Sequence, residues 1–96
     1  MNPHTHKAYM FYVYLIKSRK TGNLYTGCTS NLVKRFKEHN ENKNFSTKNK
    51  GPFELIYYEA YKNKDDAFNR EHNLKLRANA LTGLKRRLVK SLGKAL

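Results

Sequence analysis

Three things are scarce in this chain of 96 residues: cysteine, acid and long apolar runs. A single thiol, Cys28, makes neither an internal disulfide nor a cysteine-based zinc site, so a reducing cytoplasm is the expected compartment. No apolar run approaches the ~20 residues that a spanning helix requires, and Met1–Lys7 carries no signal-peptide core. The apolar share is 39%, below the ~45–50% of typical globular chains. The expected core is therefore small, built mainly from eleven Leu, seven Tyr and five Phe. The length fits one domain, and there is neither an internal repeat nor a low-complexity segment.

Seven acids face twenty Lys and Arg, which leaves a formal net charge of +13. That excess points to a polyanionic partner, nucleic acid before an anionic membrane surface. No acid follows Glu71, whereas Lys75, Arg77, Lys85, Arg86, Arg87, Lys90 and Lys94 do. Charge alone would make this segment a disordered arm. However, Leu81, Leu84, Leu88 and Leu92 recur there at helical spacing, which predicts an amphipathic helix. Arg86, Lys90 and Lys94 form a basic row on another of its faces.

Residues 1–9 read as a loose polar tail, and 10–96 as the single domain. His4 and His6 make a His-x-His pair, a weak metal motif that a solvated terminus explains as well. Met10–Ile16 is a short unbroken apolar and aromatic run, which predicts a strand buried on both faces. Lys20–Asn23 supplies turn chemistry and Leu24–Thr29 the second strand of a β-hairpin. Ser30 or Asn31 then caps a helix over about 32–42, with Leu32, Val33 and Phe36 as its apolar row. Residues 40–52 form a polar loop long enough to imply a substrate contact. Phe53–Tyr61 is a third strand. Asn63 or Asp65 opens a helix to about Ala78, and a last helix covers about Leu81–Leu92. The order ββαβαα predicts an α+β domain with a three-stranded sheet and flanking helices, the third strand parallel or antiparallel to the hairpin edge it joins.

Three constellations could carry chemistry. Tyr14 and Tyr25 share a sheet face if the hairpin loop has an even number of residues, although strand tyrosines serve packing just as well. Arg35 and His39 lie four apart, on one helix face beside the apolar row, where a solvated charged face is the plain alternative. Ala67, Glu71, Leu74 and Ala78 fall at i, i+4, i+7 and i+11, so Glu71 occupies a position otherwise reserved for apolar residues. Such a carboxylate forms a surface pair with Lys75 at i+4, or it is buried and compensated by a cation, structural or catalytic. Cys28 reads as a small apolar filler rather than a reactive thiol.

In order, Tyr12-Val13-Tyr14, Tyr25-Thr26-Gly27, Arg35, His39 and the helical Arg70-Glu71 resemble the GIY-YIG nuclease family. The likeness runs from about Met10 to Leu76 and is strongest to small standalone bacterial members, related to the N-terminal nuclease domain of the excinuclease C subunit. Tyr12 stands where the family name has its first glycine, and Thr26 where it has the second isoleucine. The resemblance implies hydrolysis of DNA phosphodiesters, branched or damaged DNA and repair included; the lack of a recognisable base-reading module predicts little sequence preference. It implies a single Mg²⁺ or Mn²⁺ held by Glu71, an attacking water activated by Tyr14 with His39 relaying the proton, Tyr25 on the scissile phosphate or the water, and Arg35 neutralising phosphoryl oxygens. Either tyrosine could be the base. Lys43, Lys48 and Lys50 in the polar loop, with Arg86, Lys90 and Lys94, are the candidates for gripping the phosphate backbone. A non-catalytic nucleic-acid binder on the same scaffold is the competing class, and a basic membrane- or ribosome-associated protein a third. A domain this small is expected to need a partner protein for targeting.

Overall fold

The computed structural model describes residues 9–93. His4, His6 and Lys94 lie outside them. Three strands, β1 (Phe11–Ser18), β2 (Leu24–Thr29) and β3 (Phe53–Tyr61), form one sheet in the order β2-β1-β3. Both pairings of β1 are antiparallel, which settles the direction of the third strand. The helices are α1 (Leu32–Asn40), α2 (Lys64–Leu76) and α3 (Ala78–Arg87), with a short 3₁₀ turn at Phe45–Thr47 inside the polar loop.

As the central strand, β1 buries Val13, Tyr14, Leu15 and Ile16 in succession, because both sheet faces are covered there. Val13 and Leu15 pack with Ala67, Leu74, Leu84, Leu88 and Leu92 beneath α2 and α3. Tyr14 and Ile16 pack on the other face with Phe53, Leu32 and Phe36, beneath α1. The sheet therefore separates two small cores. The starts of α1 and α2 are fixed by side chains: Asn31 Oδ1 accepts from the Lys34 amide, and Asn63 Oδ1 from the Asp65 amide. Asn40 ends α1 and ties it to β3, its Oδ1 accepting from the Phe53 amide at 2.7 Å.

Several expectations shift at their edges. The first strand runs two residues further, to Ser18, whose hydroxyl donates to the Lys50 carbonyl at 2.6 Å and accepts from the Lys20 and Thr21 amides. Val33 is 82% exposed and leaves the apolar row to Leu32 and Phe36. α2 stops at Leu76, so Ala78 opens the next helix and is exposed. That helix starts three residues early and its regular turns end at Arg87. Leu88 and Leu92 are still buried, joined by a Leu92 amide to Leu88 carbonyl bond of 2.8 Å. Since Lys90 follows the helix end, Arg86 and Lys90 do not form a row on one continuous helix.

Candidate active site

The hairpin closes between Ser18 and Asn23, leaving Arg19–Gly22 as an even-membered loop. Gly22 takes a positive φ of 79° there, a conformation that favours glycine. With that parity Tyr14 faces Gly27 across the strands and Ile16 faces Tyr25, so both tyrosines lie on the α1 side. Gly27 leaves the space through which Tyr14 passes. A Cβ there would overlap the Tyr14 hydroxyl, so the glycine lets the phenol reach out over the edge strand.

The Tyr14 hydroxyl lies 2.7 Å from His39 Nε2, and His39 Nδ1 lies 2.7 Å from Thr47 Oγ1. His39 is only 4% exposed. Burial pushes the Tyr14 pKa up to about 12, against the opposing pull of the Arg35 guanidinium. Burial also lowers that of His39, and Arg35 adds to the effect. At neutral pH both groups are therefore uncharged, and the phenol can donate to Nε2 when Nδ1 carries its proton toward Thr47. Desolvation outweighs the nearby positive charge of Arg35 and keeps the phenol protonated. Tyr25 stacks edge-on against Phe53 with ring centroids 5.9 Å apart, and Lys50 Nζ sits 5.4 Å from its ring centre.

Glu71 is 6% exposed, as its place on the apolar stripe requires. Its Oε2 lies 2.6 Å from Lys75 Nζ. The i+4 pair thus forms, but around a buried carboxylate rather than a solvated one. Glu71 and Lys75 line a cleft of about 550 Å³ together with Arg35, Cys28, Lys64 and His72. Arg35 and Glu71 come from helices on opposite faces of the sheet, and they meet because β2 is an edge strand around which both can reach. Glu71 and Cys28 are also near enough to Tyr14 to raise its pKa further. Tyr25 lies outside this cleft and lines a neighbouring depression with His39, Thr47 and Lys75. Burial, then Glu71, pushes the Cys28 thiol up, which keeps it protonated and unreactive.

Arg70 points away from the cleft. Its Nε donates at 2.6 Å to Glu59 Oε1, which also accepts from Tyr61, while Glu59 Oε2 accepts from Tyr57. Of the adjacent Arg70-Glu71 pair, one residue locks α2 to β3 and the other faces the cleft. Of the lysines taken for backbone grip, Lys50 covers Tyr25 and Lys43 pairs with Glu41 at 3.4 Å. Arg86 and Lys90, like Lys48, do not line the cleft. Two cleft residues, Lys64 and Lys75 in this role, and Thr47 behind His39 escape a sequence reading. Thr47 carries no spacing signal, being placed only by the fold of the polar loop.

Among the described residues no three His, Cys, Asp or Glu side chains cluster in a way that could hold a metal ion. One buried carboxylate in an open cleft suits a hard cation that keeps most of its waters and takes its other oxygens from a phosphate. It does not suit zinc, which takes three or four protein ligands.

Residues 10–85 match the family model described as the GIY-YIG catalytic domain. The chain therefore belongs to the GIY-YIG family of nucleases, which act on nucleic acid. Within that family its relatives are small UPF0213 proteins. One from Clostridium perfringens is 45% identical over 67 residues, 69% of this chain and 71% of that protein. Another, from Oceanobacillus iheyensis, is 38% identical over 67% of this chain and 74% of its own. Among solved structures, the solution NMR structure of a UPF0213 protein from Bacillus halodurans aligns with a TM-score of 0.50 at 31% identity. That alignment covers 78% of this chain and 81% of the other. It agrees with the α+β order read from the sequence.

Proposed function

We propose that the protein is a divalent-metal-dependent DNA endonuclease with little sequence preference. One observation carries the reading: in a GIY-YIG domain, the buried Tyr14–His39–Thr47 hydrogen-bond chain lies near a cleft lined by both Arg35 and the buried Glu71. The chain gives a path for a proton. His39 Nε2, neutral by burial, takes the phenol proton of Tyr14, and the phenolate oxygen takes a proton from the attacking water. Thr47 holds the imidazole in the orientation that leaves Nε2 free to accept. Arg35 presents its donor fork to the phosphoryl oxygens, on which charge accumulates. Tyr25, held against Phe53 in the neighbouring depression, would donate to the substrate phosphate. Glu71 would hold one Mg²⁺ or Mn²⁺. When bound, that ion supplies Lewis-acid stabilisation of the phosphate and the departing oxyanion.

The Glu71–Lys75 ion pair favours a second reading, a nucleic-acid binder whose carboxylate is permanently neutralised by its own lysine. Nicking of supercoiled plasmid separates the two. The nuclease reading predicts conversion to open circles with Mg²⁺ or Mn²⁺, none with EDTA, and a loss of about 10²–10³-fold on Arg35→Ala. Binding without any cutting would establish the second reading.

A further inference from the structure

The α1 face of the sheet is covered only in part. Leu32 and Phe36 pack over Tyr14, Ile16 and Phe53, whereas the end of the same face carrying Tyr12 and Tyr58 is open, with Tyr58 52% exposed. These two rings meet edge-on, 5.9 Å apart at an interplanar angle of 68°. They form one wall of a groove of about 440 Å³, completed by Ser30, Asn31, Leu32 and Val33. Ser30 also lines the Glu71–Arg35 cleft, so groove and cleft adjoin at that residue. Phe11 points into the cleft and its neighbour Tyr12 into the groove, because successive side chains of β1 alternate across the sheet.

We propose that this groove binds an unpaired nucleobase next to the phosphate engaged in the cleft, so that the substrate is single-stranded, or locally unpaired at the site of attack. This rests on the nuclease reading for the position of the phosphate. The occupant follows from what flanks the groove. On one side is a cleft holding Arg35, Lys64 and Lys75, suited to phosphate. On the other are the exposed Tyr58 and Val33 and the half-buried Tyr12 and Leu32, beside neutral Ser30 and Asn31 and with no acid among them. A nucleotide has this same division, an anionic backbone beside a flat apolar base, and bases stack on tyrosine whatever their identity. In a paired duplex the base faces are stacked on their neighbours and closed to Tyr58. Tyr12, at the position of the family's first glycine, is what gives this chain a second ring in the groove.

The test is binding in EDTA, where no cutting occurs, to two fluorescein-labelled 12-mers: oligo-dA and an all-abasic strand with the same phosphates. The wild-type protein is expected to prefer oligo-dA by about 5- to 150-fold. Tyr58→Ala should abolish the preference without changing affinity for the abasic strand, and Tyr58→Trp should keep it. Because Tyr58 is half exposed, the alanine variant is expected to fold; an unchanged thermal midpoint verifies this, and Tyr58→Trp serves as the arm that does not remove the ring. Equal binding of the two strands by the wild type, or an undiminished preference in Tyr58→Ala, overturns the proposal. In those cases plasmid nicking by the wild type would leave the nuclease reading standing. Failure to bind either strand or plasmid overturns both. A concentration-dependent dimer by sedimentation that Tyr58→Ala converts to monomer would give the groove to a second copy of the chain, and would also overturn the proposal.

Discussion

At the scale of single residues, the site depends on how one phenol is threaded past a glycine. Gly27→Ala places a methyl where the Tyr14 hydroxyl lies, so the ring must leave His39 or the strands must part. The expected result is a loss of plasmid nicking together with about 1–3 kcal/mol of stability, as overpacking costs, read by chemical denaturation. The imidazole makes a separate prediction. Its pKa is lowered from 6.5 by burial and by Arg35, so the acid limb of the pH–rate profile should lie below 6.5, with activity falling as pH drops through it. His39→Gln should remove that limb along with most of the rate. The same depression sets a stability window: the unfolded chain takes up the proton first, so stability declines as pH falls below 6.5 and levels off below the folded-state pKa. Much of this geometry is legible beforehand. Loop parity puts Tyr14 and Tyr25 on one face, and the apolar stripe buries Glu71. Thr47 is not legible, because a contact between residues eight apart through an irregular loop leaves no periodic trace. Nor is the phenol's protonation state, since desolvation depends on packing that composition does not encode.

At the scale of elements, α2 is held to the sheet by Glu59. Its carboxylate receives Arg70 and two tyrosine hydroxyls, all within 2.7 Å. Burial raises the Glu59 pKa, but the bonds from Tyr61, Tyr57 and Arg70 together outweigh it and hold the group below its ordinary 4.5. A depressed carboxyl pKa contributes stability that is present above 4.5 and lost as pH falls through the folded-state value. Glu59→Gln should therefore cost about 1–3 kcal/mol at neutral pH, a drop in Tm on the order of 5–15 °C. It should also flatten the acid side of the Tm-against-pH curve. The strands and the starts of α1 and α2 are readable from caps and runs: Asn31 and Asn63 cap as their side-chain chemistry suggests, whereas α3 has no side-chain cap and starts three residues early. Helix ends are not readable. The leucine row continues to Leu92 although regular helix stops at Arg87, because burial of Leu88 and Leu92 needs only their spacing, which a looser final turn also provides.

At the scale of the whole molecule, the sequence carries twenty bases, and the site holds one buried carboxylate. Affinity for duplex or single strand should fall linearly in log–log form with salt. Lys50→Ala and Lys64→Ala should each reduce the slope by about one, as single phosphate contacts do, measured by anisotropy at several salt concentrations. The charge pattern made a polyanion partner legible from the outset. What it could not reveal is that Arg35 and Glu71 meet, since that depends on β2 lying at the sheet edge with a helix on each side. The central claim is that Glu71 serves cleavage and not grip, and Glu71→Gln tests it most directly, with DNA binding and Mg²⁺-dependent plasmid nicking measured on the same preparation. The account predicts affinity within about twofold of wild type and nicking reduced by at least about 10²-fold. Undiminished nicking by Glu71→Gln would contradict it.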